Sequence, residues 1–268
     1  MSTFTNYLTI ANNLSRYQTM TAADPTVAQA SKYFQDNIAQ IKTIDQFVNN
    51  KRIFTYAMTA FFTYAMTAFG LSDMTYAKSL IKKLLEQGAT RSGALANTLN
   101  NPKILALAKA FNFQLYGADT TQTIAATSDV VNKYVMQRLK ANAGNKNAGV
   151  QLALYFQQNA SKITSGYSIL ADPNLLKVVQ TTLGLSSYTS VENVDRQAAQ
   201  FDKLLKYSDF QDPAKVRSFL ERFTAQYDVA NPGVSASPLV SALGSGSSAS
   251  VGFSVDLLMS LQNLKLGG

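Results

Sequence analysis

The side chains available for acid–base or nucleophilic chemistry in this sequence are Asp, Glu, Lys, Tyr and Ser, because neither Cys nor His is present. The absence of Cys excludes disulfides, thiolate nucleophiles and Cys-based zinc or iron–sulfur sites. The absence of His removes the commonest general acid–base group and transition-metal ligand. Paired carboxylates or an activated lysine could still catalyse a reaction, but no spacing indicates such a pair. We therefore predict a protein that is not an enzyme, with no catalytic residue, metal site or cofactor.

The surface is predicted to carry few charges. Only 15% of the 268 residues are charged, against about a quarter in a typical soluble domain. Glu occurs three times, at Glu86, Glu192 and Glu221. The polar surface must therefore be built largely from Ser, Thr, Asn and Gln, which is typical of a chain that packs against copies of itself or against protein partners.

The net charge of +8 raises the question of nucleic-acid binding. The basic residues form three groups: Lys78, Lys82, Lys83 and Arg91; Lys133, Arg138, Lys140 and Lys146; and Lys215, Arg217 and Arg222. They are spread over several predicted helices without a recognition motif, so solvated helix faces are the preferred explanation and nucleic acid is an alternative that we do not expect.

Within the first basic group, Lys78, Lys82 and Lys83 are candidate interaction residues. Lys78 and Lys82 are four residues apart, so their charges repel on one helix face. We expect solvent to screen this repulsion, with an acidic neighbour as the alternative.

Four Asx–Pro pairs predict the starts of helices, because Asp or Asn caps the first turn and Pro suits the first helical position. They are Asp24-Pro25, Asn101-Pro102, Asp172-Pro173 and Asp212-Pro213. Asn231-Pro232-Gly233 instead predicts a turn. The segments 99–105 and 170–176 resemble each other, which we attribute to a shared cap; an ancient duplication is the alternative.

Apolar residues recur at intervals of three and four along most of the chain. Phe34, Ile38, Ile41, Ile44 and Val48 predict one face of a helix over about residues 26–50. Similar spacing predicts further helices around 77–85, 104–111, 131–135, 152–163, 174–183, 198–205 and 216–227, and no alternating strand is evident. We predict an all-α fold, a multi-helix bundle with short loops.

The octapeptide FTYAMTAF occurs twice in succession, at 54–61 and 62–69. In a helix, eight residues rotate the chain by about 80°, so the two copies cannot present the same face. We expect one copy to occupy the core while the other bulges or extends the helix. Residues 53–72 are uncharged and long enough to span a bilayer, but their Thr and Tyr content argues against insertion, and no membrane contact is expected.

The domain organisation is predicted in four parts. Residues 1–24 form a polar, partly helical segment, without the features of a cleaved secretory signal. Residues 25–230 form a helical domain, with two related halves (about 25–115 and 116–230) as an option. Residues 231–252 form a flexible linker rich in Gly, Ser and Pro, and 253–268 a short amphipathic helix.

The C-terminal helix carries the remaining candidate interaction residues, which are Leu257, Leu258, Leu261 and Leu264. Their spacing gives the helix an apolar face. We expect this face to fold back on the chain's own core, with docking onto a neighbouring subunit as the alternative.

Several blocks resemble domain-of-unknown-function family 1217. The first is Lys51-Arg52-Ile53-Phe54 with one copy of the octapeptide and then GLSDMTYAKSLIKKLLE. The segments LANTL, NPK and AKAFNF between residues 95 and 113 are similar to the family's second block. Gly166 to Pro173 and Asp212 to Phe223 are similar to the family's later sequence blocks, so the resemblance covers residues 31–228.

This resemblance implies a helical bacterial protein. Members of the family are found in alphaproteobacteria and are often encoded beside flagellar genes, and the family has no established activity and no catalytic motif. We therefore expect a non-enzymatic structural or assembly protein of the flagellum that acts by helix packing. Its partners would be flagellar components or copies of itself, and export without a cleaved signal is an option. The alternatives are a cytoplasmic regulator or chaperone of flagellar assembly, and a basic nucleic-acid-binding helical protein.

Overall fold

The computed structural model describes residues 2–62, 74–99, 101–185 and 193–232. All regular structure in these ranges is helical, which confirms the all-α prediction. The α-helices are α1 Thr3–Ala11, α2 Leu14–Ala22, α3 Pro25–Ile38, α4 Ile44–Asn49, α5 Lys51–Phe62, α6 Met74–Gln87, α7 Leu95–Thr98, α8 Pro102–Ala110, α9 Phe113–Tyr116, α10 Ser128–Lys146, α11 Ala148–Asn159, α12 Gly166–Leu170, α13 Pro173–Leu183, α14 Val194–Leu204 and α15 Pro213–Ala230. Short 3₁₀ helices cover Gly117–Gln122, Ala160–Lys162 and Tyr207–Gln211.

The four predicted Asx–Pro helix starts are confirmed. Asp24, Asn101, Asp172 and Asp212 each accept a hydrogen bond from a backbone N–H of the first turn, at the starts of α3, α8, α13 and α15. Pro occupies the first helical position in each case, where its missing N–H costs nothing. The fifth pair follows the end of α15, with Pro232 in a turn, and Gly233 lies outside the described residues.

The single helix predicted over residues 26–50 is wrong, because the chain forms α3 and α4 with a break between them. Thr43 caps α4 through a capping box, in which its hydroxyl accepts from the Gln46 N–H and the Gln46 side chain returns to the Thr43 N–H. At the break, the hydroxyl of Thr121 donates to the free carbonyl of Ile41 at 2.7 Å. Local capping and this tertiary hydrogen bond therefore outweigh the continuous apolar spacing.

The first copy of the octapeptide lies within α5, which packs against α3, α4, α8 and α10. The buried residues of α5 are Ile53, Phe54, Tyr56, Ala57, Met58, Ala60, Phe61 and Phe62. Burial on several sides is what a helix that is apolar nearly all round requires. The second copy, apart from Phe62, lies outside the described residues.

Buried apolar residues form two core clusters that meet along α10. The first cluster comprises residues between Val27 and Val135, and the second joins Tyr7 to residues between Leu139 and Tyr227. In the first cluster, the ring of Tyr56 stacks on that of Tyr134 with 3.9 Å between centroids. In the second, α1 packs against α11 and α15. The predicted domain boundaries and the relation between two halves stay predictions.

Two sequence predictions concern regions beyond these helices. Among the described residues, no helix is both long and apolar enough to cross a membrane. The linker predicted at 231–252, after its first two residues, and the C-terminal helix at 253–268 lie outside the described residues, as do Leu257, Leu258, Leu261 and Leu264.

Candidate functional site

A cavity of about 920 Å³ opens among α5, α8, α10, α11 and α13, and we call it the lysine cavity. Its walls include Phe61 from the first core cluster and Leu175 from the second. The charged residues that line it are Lys103, Lys133, Lys140, Lys162, Asp129 and Asp172. Lysines therefore outnumber carboxylates at this site.

Asp172 is the most heavily used carboxylate of the cavity. Its Oδ1 accepts the backbone N–H groups of Asn174 and Leu175 at the start of α13. Its Oδ2 accepts the hydroxyl of Tyr155 and lies 3.4 Å from Nζ of Lys103. Both oxygens are thus engaged by helix capping, the tyrosine and one lysine.

Lys140 lies at the buried side of the cavity, with only 4% of its surface exposed. Its Nζ donates to Oε1 of Gln158 at 3.2 Å. The amide nitrogen of Gln158 points the other way, 2.8 Å from Sδ of Met136, which keeps the oxygen turned toward the lysine. The ammonium group of Lys140 therefore has a neutral hydrogen-bond acceptor, the amide oxygen of Gln158, where a buried lysine usually has a carboxylate.

Burial, and then the positive charges of Lys103 and Lys162, lower the pKa of Lys140 to about 8, while Asp172 partly opposes them. Desolvation disfavours the charged form of a lysine because water stabilises an ammonium far better than an apolar wall does. The amine is still mostly protonated at neutral pH. The cavity therefore presents a buried cation at pH 7.

The ring of Tyr155 lies close to two of the lysines. Nζ of Lys103 is 5.0 Å from its centroid and Nζ of Lys140 is 5.3 Å away, both within reach of a cation–π interaction. Burial, and then the charge and hydrogen bond of Asp172, raise the pKa of the Tyr155 hydroxyl. Tyr155 consequently remains a neutral donor that holds Asp172 in place.

This arrangement is suited to holding an anion. Four lysines surround a partly apolar space, and one of them is buried beside a neutral acceptor. Across the described ranges, no group of three or more Asp and Glu is placed to hold a metal ion.

The predicted site residues on α6 lie away from this cavity. Nζ of Lys82 is 2.5 Å from Oδ1 of Asp45 and 4.0 Å from Oε1 of Glu86. The hydrogen bond and charge of Asp45 raise the pKa of Lys82. The alternative of an acidic neighbour therefore applies to Lys82. The preferred explanation, that solvent alone screens the repulsion between Lys78 and Lys82, was wrong. Lys83 is exposed and Lys78 is partly buried.

The sequence prediction missed Lys103 and Lys140 as a site. One signal was available, because Lys133 and Lys140 are seven residues apart and so share a face of α10. A second lay in the two similar segments 99–105 and 170–176, whose caps both open onto the cavity. The residues behind these two signals come together only because α8 packs against its neighbours, and no local sequence pattern reveals that packing.

The fold and the site define an all-helical protein with two apolar cores and a lysine-lined cavity where they meet. The chain belongs to the family described as protein of unknown function (DUF1217), whose sequence model matches residues 68–216. This confirms the resemblance at the level of the family. The family's description assigns no activity, so the flagellar association stays a prediction.

One solved structure supports the same assignment. The crystal structure of protein AGR_C_984 from Agrobacterium tumefaciens is similar to this chain, with 38% sequence identity and a TM-score of 0.74. The similarity covers 87% of this chain and 97% of that one. No curated protein matches this chain.

Proposed function

We propose that this chain is a non-enzymatic structural or assembly protein of the bacterial flagellum that acts by binding protein partners, with export from the cytoplasm as one option. The low content of charged residues supports this role, as does the flagellar gene neighbourhood that the family resemblance implies. A surface with few charges suits a chain that packs against other polypeptides.

The structural observation that carries a partner-binding role is an exposed apolar segment between α8 and α10. Leu115, Tyr116 and Ile124 are 57%, 49% and 73% exposed, respectively. Leu115 and Tyr116 belong to α9, and Ile124 lies in the turn after the 3₁₀ helix that follows α9. Three large apolar side chains left exposed within one short segment support a surface that another protein covers.

The test is a deletion of the gene, followed by a motility assay and electron microscopy of hooks and filaments. We expect reduced swimming and defective flagella, restored by the full chain. Normal swimming with normal hooks and filaments would contradict the proposal.

The exposed segment is tested by complementation with two matched variants. Ile124→Lys places a charge on the apolar surface and is expected not to restore motility. Gln122→Lys adds the same charge at an exposed polar position two residues away, where it faces the carboxylate of Asp119 that the Gln122 amide contacts, and is expected to restore it. Equal rescue by both variants would mean that this segment is not the contact surface.

A cytoplasmic regulator or chaperone of flagellar assembly is the alternative within the same system. Fractionation separates the two roles, because an axial component is recovered with sheared or secreted flagellar protein. Recovery from the cytoplasm alone would support the regulator.

The C-terminal leucines make a further distinction. A chain ending at residue 252 is expected to melt at a lower temperature with an unchanged number of subunits per particle if residues 253–268 fold back on the core. If those residues instead dock onto a neighbouring subunit, light scattering will show fewer subunits per particle.

The alternative of nucleic-acid binding is less well supported, because two of the basic residues that suggested it already have other surroundings. Lys140 is buried and so cannot contact phosphate from the surface, and Lys82 already has Asp45 as a partner. Retention on DNA at low salt would reopen this alternative, since phosphate contacts weaken steeply as salt rises.

A further inference from the structure

We infer that the lysine cavity is a binding site for a small amphipathic anion, whose acidic group contacts Lys140 and Lys103 and whose apolar part lies against Phe61, Met136 and Leu175. This site is independent of the partner-binding role proposed above. The ligand class is a carboxylate or phosphate that carries an apolar chain or ring.

The first argument is that Lys140 has donors to spare. A protonated lysine has three N–H groups, and within the described part of the chain its Nζ has one hydrogen-bond acceptor, Oε1 of Gln158. Lysine is rarely buried unless its charge is paired, yet no carboxylate of the described residues forms an ion pair with Lys140. An anion in the cavity would supply the missing acceptors.

The second argument is that neither carboxylate of the cavity can take this place. Asp172 already receives the N–H groups of α13, the Tyr155 hydroxyl and Lys103. Asp129 lies eleven residues before Lys140 on α10, which places it about 16 Å along the helix axis. The end of the cavity near Lys140 therefore has an excess of positive charge that no carboxylate of the cavity neutralises.

The third argument comes from the size and lining of the cavity. Its volume of about 920 Å³ is within the range of small-molecule sites, about 300–1,000 Å³. Side chains such as Phe61, Met136 and Leu175 provide apolar walls beside the lysines. A bare inorganic ion would leave most of this space unfilled, so the ligand should have an apolar part.

The affinity of the site should depend on pH through Lys140. The charged and titratable groups that face it are Lys103 on α8, Tyr155 on α11, Lys162 after α11, and Asp172 before α13. On α10 itself, Asp129 and Lys133 line the far end. The free amine has a pKa of about 8, so anion binding should be strongest below pH 8 and weaken as the amine loses its proton above it.

The test uses 1-anilinonaphthalene-8-sulfonate as an anionic apolar probe and N-phenyl-1-naphthylamine as its uncharged analogue. Both are titrated by fluorescence into the full chain. We expect the sulfonate to bind at one site per chain, and the uncharged probe to bind at least about tenfold more weakly, since a buried charge-assisted contact contributes about this much.

Two methionine variants on the same helix identify the contact. Lys140→Met keeps the length of the side chain without its charge and should weaken sulfonate binding about tenfold, and it should remove the loss of affinity between pH 7 and 9.5. Lys146→Met changes an exposed lysine of α10 and should leave the affinity unchanged. Circular dichroism confirms that each variant is folded.

Competition then defines the acidic group. Displacement of the sulfonate by octanoate indicates a carboxylate ligand, and displacement by octyl phosphate a phosphate ligand, and either result supports the site. Equal displacement by octanol would overturn the need for an anion. Equal binding of the probe by Lys140→Met and Lys146→Met, or no saturable binding to the wild-type chain, would overturn the proposal.

Discussion

Thr3 and Asp228, which are separated by most of the chain, are joined by two hydrogen bonds. The backbone N–H of Thr3 donates to Oδ2 of Asp228 at 3.1 Å, and the Thr3 hydroxyl donates to Oδ1. The Thr3 hydroxyl also accepts from the amide of Asn147 at 2.7 Å, and Thr3 is fully buried. The first helix is therefore fastened to α15 and to the start of α11 at one point.

The substitution Asp228→Ala should lower the free energy of unfolding by about 1–3 kcal/mol, because it leaves buried donors of Thr3 without an acceptor. Urea denaturation at neutral pH measures the change. The control is Asp36→Ala, which removes an exposed ion pair with Lys32 and should change stability by at most about 0.5 kcal/mol. An equal change in the free energy of unfolding for both variants would show that the contact with Thr3 stabilises the protein no more than an exposed ion pair does.

Gly166 is expected to tolerate no side chain, because α12 approaches α14 closely at this residue. A Cβ built there would lie 2.4 Å from the carbonyl oxygen and 2.7 Å from Cα of Ala198. Backbone atoms cannot move aside as a flexible side chain can, so Gly166→Ala should cost about 1–3 kcal/mol or more. Thermal unfolding measures the loss.

Gly93 provides the matched control for this substitution. A Cβ at Gly93 meets no atom within 4 Å, so Gly93→Ala should be neutral or slightly stabilising. A small effect of Gly166→Ala, similar to that at Gly93, would mean that α12 and α14 separate easily.

Lys140 should make the stability of the protein depend on pH in a defined window. Its pKa falls from 10.5 in the unfolded chain to about 8 in the fold, so between these values the unfolded chain binds more protons. Stability should therefore rise as the pH increases from about 8 toward 10, by at most about 1.4 kcal/mol per pH unit. Above pH 10 the opposite effect of buried tyrosines enters, since burial raises the pKa of Tyr7 to about 12.

The variant Lys140→Met should be more stable than the wild-type chain at pH 7, by about 1–3 kcal/mol, because it removes a buried cation that has no carboxylate in contact. The difference should shrink as the pH approaches 10, where the wild-type amine is neutral. Urea denaturation at several pH values measures both effects. Lys146→Met, at an exposed position, should follow the wild-type curve, and a constant gap between the Lys140→Met and wild-type curves would contradict the assignment.

Deleting one copy of the octapeptide should preserve or raise the melting temperature, apart from the loss that replacing the buried Phe62 ring causes by itself. Removal of 54–61 and removal of 62–69 produce the same polypeptide, so the surviving copy can occupy the buried positions of α5 in the same register. The fully buried ring of Phe54 and the stack of Tyr56 on Tyr134 are kept in this way. A large drop in melting temperature would show that both copies are packed.

One contact complicates this deletion. Phe62 is 2% exposed, and in the shortened chain Gly70 would follow the surviving copy at that place. The variant Phe62→Ala in the full chain measures the contribution of this ring separately, which is expected to be about 3–5 kcal/mol if its site cannot collapse. Deletion of residues 63–70 instead keeps Phe62 and removes the same length.

Helix starts were predictable because their chemistry is local. An Asx side chain reaches N–H groups two and three residues ahead, and Pro fixes the backbone of the first turn, so Asp24-Pro25 and Asp172-Pro173 need no distant partner to start a helix. The break between α3 and α4 was less accessible, because the apolar spacing continues through it and the hydrogen bond from Thr121 to Ile41 joins residues far apart in sequence.

The all-α class, the caps and the burial of one copy of the octapeptide followed from the amino-acid sequence by itself, since propensity, capping and periodicity act within a few residues. The lysine cavity followed only from the tertiary structure. Lys103, Lys140 and Asp172 occupy three separate elements, and their charges act on one another because packing brings them to one cavity and buries Lys140. Spacing along the chain carries no record of that packing, so the buried lysine looked like any surface cation until the helices were assembled around it.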